Sequence, residues 1–177
     1  MKILIVVDMQ NDFIHGNLGS AEARAIIPAI QEKIAEYKEN EKNLIFFTQD
    51  THYSNYLTTQ EGRFLPVEHC IKDTYGWQIT PTLDTKNGLF VEKEKFGYTD
   101  WIGQFCQHEI INHQVDSIEL VGVCTDICVV SNALILKAVF PEIPVIVDAN
   151  CCAGTSVEAH NAALRTMRSC QVIVKGE

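Results

Sequence analysis

The chain has 177 residues, 46% of them hydrophobic and 21% charged, which is typical of a globular protein with a sizeable buried core. Its formal net charge of −9, without a cluster of Lys and Arg, argues against nucleic acid and anionic membranes as partners. No apolar run approaches the roughly 20 residues that span a bilayer, so we expect one soluble domain over residues 1–177.

The first apolar run covers residues 2–7 and stops at Asp8 without a small-residue cleavage site, unlike a secretory signal. A first β-strand explains it better. We therefore expect a cytoplasmic protein whose seven cysteines are thiols.

Aliphatic runs alternate with segments of helical spacing along the rest of the chain. The runs predict buried parallel strands, and the periodic segments predict the crossover helices that parallel strands need. In chain order, the predicted elements are strand 2–7, helix 21–39, strands 44–48 and 88–91, helix 101–112, strand 118–123, helix 126–139, strand 145–147, helix 157–168 and strand 171–174. This alternation predicts a doubly wound α/β sheet, with residues 50–84 as a functional loop.

Chemically active side chains follow four of the predicted strands. Asp8 follows the first strand, Asp50 and His52 the second, Lys93 the third and Cys128 the fourth. In an open parallel sheet, ligands bind outside the carboxyl ends of the strands. We therefore expect these residues to converge at one edge of the sheet.

Cys128 is the candidate nucleophile, because it opens a predicted helix whose positive dipole end favours a thiolate. Asp8 could serve as the base, and Lys93 as the cation that keeps the pair ionised. The backbone N–H groups of Cys124 and Cys128 are candidate donors to an oxyanion. The alternatives are an inert buried cysteine, a strand-end carboxylate that caps a turn, and a surface lysine.

Asp50 and His52 are two residues apart and fall on one side of an extended segment, where His69 could complete a metal site. Oxygen and nitrogen ligands suit zinc, iron or manganese rather than calcium. An unconnected surface Asp-x-His pair is the alternative. Three candidate pocket residues are Phe13, Ile127 and Trp77; for the two aromatic side chains, core packing is the alternative role.

Five ordered motifs together resemble the isochorismatase-like cysteine hydrolases, in particular their nicotinamidase (pyrazinamidase)-related branch. The motifs are Val6–Phe13, Asp50–His52, Pro66–Cys70, Lys93–Phe96 and Gly122–Val129. With the similar segment 149–167, the resemblance covers nearly the whole chain.

The resemblance implies a three-layer α/β/α fold and an Asp8–Lys93–Cys128 catalytic triad. It also implies an oxyanion turn with a non-proline cis peptide between Val123 and Cys124.

In the nicotinamidase branch, a metal lies beside the triad and coordinates the ring nitrogen of the substrate. The resemblance implies that Asp50, His52 and His69 bind it here, with Glu61 in place of a further histidine. Zinc is the expected ion, with iron and manganese as alternatives.

The implied function is an amidohydrolase that converts nicotinamide, or a close small amide, to the acid and ammonia through a Cys128 thioester. A homo-oligomer is also implied, and a role in NAD salvage follows only if nicotinamide is the substrate. Gly97 and the segment 71–74 depart from the family pattern and leave the substrate open. The alternatives are another small amide, an N-carbamoyl compound, or an idle family member that serves as a binding module.

Overall fold

A sheet of six parallel strands runs through the part of the chain that this computed structural model describes, which is residues 1–110 and 113–176. In space, the strands follow the order β3-β2-β1-β4-β5-β6. Their bounds are Lys2–Val7 for β1, Leu44–Asp50 for β2, Leu89–Lys93 for β3, Ser117–Val123 for β4, Val145–Ala153 for β5 and Ile173–Lys175 for β6.

Helices connect the strands. Their bounds are Asn11–Ile14 for α1, Ala21–Ala25 for α2, Ile27–Lys38 for α3, Gln60–Phe64 for α4, Trp101–Gln107 for α5, Val130–Val139 for α6 and Val157–Ser169 for α7. A 3₁₀ turn covers Tyr56–Thr58, and a π-helical turn covers Thr125–Val129 directly before α6. No helix in the described ranges is long and apolar enough to cross a membrane.

Both faces of the sheet are covered, which explains the continuous aliphatic sequence of β1. Side chains alternate across a strand, so Ile3 and Ile5 pack with α5, α6 and α7, whereas Leu4 and Val6 pack with α1, α2 and α3. The two cores lie on opposite sides of the sheet and make three layers. The predicted doubly wound α/β fold and the implied three-layer architecture are therefore confirmed.

All six predicted strands are present, but β5 continues to Ala153 instead of ending at residue 147. The helix predicted over 21–39 is two helices that meet at Ile26. Pro28 stands in the first turn of α3, where a missing N–H breaks no helical hydrogen bond. The same proline would interrupt a helix that continued from α2, because an N–H at this position would then be needed for a hydrogen bond to the preceding turn.

The helix predicted over 101–112 ends at Gln107, and residues 111 and 112 of that prediction lie outside the described ranges. The helix predicted from residue 126 begins as the π-helical turn and becomes α6 at Val130. All seven cysteines are free thiols, as expected.

Gly122 marks a close approach between the two central strands. Its φ is +114°, and a Cβ atom built there would lie 2.1 Å from the carbonyl oxygen of Val7. Only glycine fits, because a side chain would clash with the backbone of β1 and disfavour that φ. The close contact brings the end of β4, and the turn after it, against the end of β1.

Candidate active site

The strand order reverses direction between β1 and β4, and the candidate residues lie at the carboxyl ends of the strands around this point. Asp8 follows β1 directly, Asp50 ends β2 and Lys93 ends β3. Asp50 and Lys93 are register partners across β2 and β3. Cys128 lies in the π-helical turn after β4. The structure therefore brings together the side chains that the strand-end rule predicts.

Asp8 is fully buried and held in place from two sides. The Thr48 hydroxyl donates a 2.6 Å hydrogen bond to Asp8 Oδ1, and Lys93 Nζ lies 2.7 Å from Asp8 Oδ2. The backbone of Asp8 has a φ of +48°, in the left-handed region that few residues other than glycine adopt. This backbone turn is maintained by its surroundings, which is common at functional sites.

Lys93 is the central cation of the site. Its side chain is 1% exposed, and its Nζ lies 2.7 Å from Asp8, 3.3 Å from Asp50 Oδ1 and 3.5 Å from Cys128 Sγ. Burial lowers the pKa of Lys93, but the charges of Asp8, Cys128 and Asp50 outweigh burial and raise that pKa well above its ordinary value. The ammonium group therefore remains protonated among three acidic groups.

Burial also raises the pKa of Asp8, with Lys93 opposing the rise and Asp50 adding to it. The same cause raises the pKa of Cys128 well above its ordinary value, with Asp8 adding to the rise and Lys93 opposing it. The prediction that a helix N-terminus favours the Cys128 thiolate is wrong for the resting site. The buried position beside a carboxylate outweighs the helix dipole, so the resting group is a thiol with a carboxylate nearby to take its proton.

The turn that carries Cys128 begins at a cis peptide bond between Val123 and Cys124, as the resemblance implies. The carbonyl oxygen of Cys124 accepts hydrogen bonds from the N–H groups of Ile127 and Val129, at 3.1 and 3.0 Å. Cys124 and Cys128 both line the cavity beside the site. The role of their backbone N–H groups as oxyanion donors stays a prediction.

Four side chains beside Lys93 form a cluster suited to a metal ion. Their ligand atoms all lie within 4.8 Å of one another, and they belong to Asp50, His52, Glu61 and His69. His52 Nε2 is 3.0 Å from Asp50 Oδ2 and 3.6 Å from Glu61 Oε1, and His69 Nε2 is 3.5 and 3.8 Å from the same two oxygens. Two imidazoles and two carboxylates are a donor set that fits zinc, iron or manganese.

Neighbouring groups orient the cluster. His69 Nδ1 lies 2.8 Å from the carbonyl oxygen of Val67, so its Nε2 faces the other ligands. The Tyr56 ring packs against His52 and His69, with ring centroids 4.6 and 5.0 Å apart. Burial raises the pKa of Asp50, but hydrogen bonds from the two histidines and the charge of Lys93 outweigh it and lower that pKa. Asp50 is therefore ionised and able to bind a cation.

A cavity of about 330 Å³ opens beside Cys128 and the cluster. Cys128, Asp50, Glu61 and His69 line its reactive end, and most of its remaining wall is apolar. Six of the apolar lining residues are Phe13, Leu18, Leu65, Phe96, Val123 and Ile127. No Lys or Arg of the described residues lines it.

Of the three candidate pocket residues, Phe13 and Ile127 line this cavity, and Trp77 does not. The Trp77 indole N–H donates a 2.9 Å hydrogen bond to Thr51 Oγ1, and its ring packs against the core that contains α1, α2 and α3. The prediction that Trp77 closes the pocket is therefore wrong, because this hydrogen bond and packing hold the indole outside it.

Supporting residues of the site escaped prediction. Gln10 clamps the backbone of Asp50, donating to its carbonyl oxygen and accepting from its N–H, both at 2.8 Å. Asp12 Oδ2 accepts a 2.7 Å hydrogen bond from the N–H of Cys70, which fixes the segment that carries His69. Both are polar residues directly after the apolar strand β1, within the motif Val6–Phe13, and that position was the available signal.

Comparison with known proteins agrees with this geometry. The family model described as the isochorismatase domain matches residues 2–176. The chain belongs to the isochorismatase family. Among curated members of similar sequence is a nicotinamidase/pyrazinamidase of Mycobacterium tuberculosis, 29% identical, with 97% of each chain covered. A nicotinamidase of Saccharomyces cerevisiae is also 29% identical, with 76% of this chain and 80% of that protein covered.

A solved structure has a similar fold. The pyrazinamidase of Pyrococcus horikoshii, determined in complex with zinc, superposes with a TM-score of 0.80. It is 28% identical to this chain, and 99% of each chain is covered.

Proposed function

We propose that this isochorismatase-family chain is a metal-containing cysteine amidohydrolase that converts nicotinamide, or a close small amide, to the carboxylic acid and ammonia. One observation carries the proposal. A lysine buried between Asp8 and Cys128 also contacts Asp50, so the nucleophile, its base and the metal cluster meet at one site. The nicotinamidases and the zinc-bound pyrazinamidase among the relatives support the same reaction and the same kind of ion.

Asp50, His52, His69 and Glu61 are the proposed ligands of the ion, with zinc favoured over iron and manganese. When bound, the ion would orient the substrate by accepting the electron pair of its ring nitrogen. The chain's own residues supply the bond-making and proton transfers.

In the proposed reaction, Cys128 gives its proton to Asp8 as its sulfur attacks the amide carbon. The N–H groups of Cys124 and Cys128 stabilise the oxyanion that forms. Asp8 then returns the proton to the departing ammonia, leaving an acyl thioester on Cys128.

Asp8 next takes a proton from water, whose oxygen attacks the thioester. Collapse of this second oxyanion breaks the C–S bond, releases the acid and restores the thiol with the proton from Asp8. Lys93 remains charged throughout and stabilises the ionised form of Asp8.

The cavity favours a neutral substrate over an anionic one. Asp50 and Glu61 line its wall, and no Lys or Arg of the described ranges does. A ureido acid or an N-carbamoyl amino acid would bring a carboxylate into this wall without a Lys or Arg of the described ranges to pair it, and it would compete with Asp50 and Glu61 for the proposed metal ion. An uncharged N-carbamoyl compound remains the second candidate substrate. The intact contacts among Asp8, Lys93 and Cys128 argue against an idle binding module.

Ammonia release from nicotinamide by the metal-replete protein at neutral pH tests the proposal, with Cys128→Ala as the control. Turnover at or above about 1 s⁻¹, lost in the control, supports it. Ammonia release from an uncharged N-carbamoyl compound, but not from nicotinamide, would assign that compound as the substrate instead. Full turnover by Cys128→Ala would overturn the mechanism.

We also propose that residues 1–177 form one domain, that the protein is cytoplasmic and that it is a homo-oligomer. The homo-oligomer is proposed from the family resemblance, with the exposed side chains of Phe64 and Tyr75 as candidate contact residues. Light scattering of the purified protein during size-exclusion chromatography measures its mass directly, and a monomer at micromolar concentration would contradict the oligomer.

A further inference from the structure

Asn132 is a polar side chain in the apolar helix α6, one turn after Cys128, and it is 0% exposed. Its Nδ2 donates to the carbonyl oxygens of Cys128, at 2.8 Å, and Phe96, at 3.2 Å. Its Oδ1 accepts from the N–H of Tyr98, at 3.0 Å, and from the indole N–H of Trp101, at 3.3 Å. Both amide hydrogens and both lone pairs are used, so the orientation of the group is fixed.

The fourth partner, Trp101, begins α5, and the other three bonds join two parts of the site that the sheet does not join. One is the turn that carries Cys128, and the other is the segment 94–100 that follows Lys93. This segment contains no regular helix or strand. It lies close against α6 at Gly97, where an added Cβ would be 2.5 Å from Ile135 Cδ1 and 3.2 Å from Ser131 Cβ.

Lys93 needs such a connection because it stands at the end of an edge strand. β3 pairs with β2 alone among the described strands, so nothing in the sheet fixes its second side. Yet Lys93 Nζ must remain 2.7 Å from Asp8 and 3.5 Å from Cys128 Sγ. A displacement of about 1 Å at a catalytic group can cost about 100-fold in rate.

We propose that Asn132 is a positioning residue. Its amide fixes the segment 94–100 to the nucleophile turn and thereby holds Lys93 between Asp8 and Cys128. The expected change in kcat rests on the proposed function. The position of Lys93 beside Cys128 does not, and it can be tested without the substrate.

Two variants and one matched control separate positioning from general stability. Asn132→Leu has similar volume and makes none of the four bonds. Asn132→Asp keeps the acceptor for Tyr98 and Trp101 but loses both donors. Ser131→Ala, on the same helix, removes a 2.6 Å hydrogen bond to the carbonyl oxygen of Ile127, which does not involve the segment 94–100.

Both Asn132 variants should lower kcat for nicotinamide about 100-fold, with KM within about threefold of the parent value. Ser131→Ala should keep kcat within about twofold. Alkylation of Cys128 by iodoacetamide, followed by peptide mass spectrometry, should slow about tenfold in the Asn132 variants, because a displaced Lys93 stabilises the thiolate less. This second measurement needs no turnover.

A kcat that falls only in proportion to the folded fraction, measured by urea unfolding, would overturn the inference, as would unchanged alkylation in a folded variant. If Asn132→Leu does not fold, kcat and KM of Asn132→Asp, corrected for the folded fraction, decide, because a new carboxylate by itself raises the pKa of Cys128 and slows alkylation. If the parent protein releases no ammonia from nicotinamide but the variants still slow alkylation, the proposed substrate is wrong and the positioning role stands.

Discussion

Replacing Lys93 by methionine removes the ammonium group that contacts the nucleophile, its base and the metal cluster. The substitution keeps an unbranched, apolar side chain of similar length, so packing changes little. What is lost is the ammonium group that lies 2.7 Å from Asp8 and 3.3 Å from Asp50. The experiment therefore isolates the charge.

The expected cost follows from burial. Removing one partner of a buried ion pair costs about 3–5 kcal/mol, because the remaining charge is left without compensation. Asp50 keeps its contacts with two histidines, and Asp8 keeps the hydrogen bond from the Thr48 hydroxyl. Asp8 can relieve part of this energetic cost by taking a proton, so we expect the free energy of unfolding to fall by about 3 kcal/mol. Most domains survive such a loss.

The chain contains a matched control in Lys33, which also bridges two carboxylates. Lys33 Nζ lies 2.9 Å from Glu119 and 2.8 Å from Asp148, outside the candidate site. Its side chain is 17% exposed, against 1% for Lys93, so Lys33→Met should cost less stability. Urea unfolding of both variants measures stability, and ammonia release measures activity. Lys93→Met should lose about 10²- to 10⁴-fold in kcat, and Lys33→Met should keep it.

Two results would refute this reasoning. A folded Lys93→Met protein with more than about a tenth of the parent turnover would show that the charge is not needed for acid–base catalysis. Equal loss of activity in both variants, at a temperature where both are folded, would show that activity follows stability alone.

Three further outcomes are expected. Gly122→Ala should lower the free energy of unfolding by about 3 kcal/mol or more in urea titration, because the new Cβ lies 2.1 Å from the carbonyl oxygen of Val7; a stable variant would contradict the packing. His69→Ala should retain about a tenth or less of the bound metal after dialysis, measured by mass spectrometry, and full retention would exclude His69 as a ligand. Stability should fall above about pH 10, and Tyr37 and Lys33 should each contribute about 1.4 kcal/mol per pH unit to that fall. Burial and a neighbouring carboxylate raise the pKa of Tyr37, and for Lys33 two carboxylates outweigh burial and raise its pKa. Above this pH the folded chain keeps protons that the unfolded chain releases. A free energy of unfolding, measured by urea titration, that does not change with pH in this range would contradict the prediction.

The layers of the fold and the meeting of Asp8, Lys93 and Cys128 were predictable for physical reasons. Strands buried on both faces must be continuously apolar, so each shows as a run of aliphatic residues. Parallel strands place their carboxyl ends at one edge, so a polar residue after each run marks the site.

The remaining features depend on contacts that spacing does not encode. Trp77 lies outside the cavity because its indole reaches Thr51, which only the path of the long loop determines. The pKa of Cys128 follows its depth of burial and the nearness of Asp8 rather than its place before a helix. Asn132 is a single asparagine in an apolar helix, and nothing local shows that three of its four partners are Phe96, Tyr98 and Trp101, more than 30 residues away.

The position of β1 in the sheet has a consequence for synthesis of the chain. Strand β1 leaves the ribosome before the other five described strands, yet it is central in the sheet, with β2 on one side and β4 on the other. Until Ser117–Val123 has emerged, one edge of β1 lacks its partner and Asp8 lacks the turn that carries Cys128. Contacts between residues so distant in sequence form late in folding. Burial of the Cys128 thiol would therefore report the pairing of β4 with β1, and a nascent chain that stops before β4 would have no assembled active site.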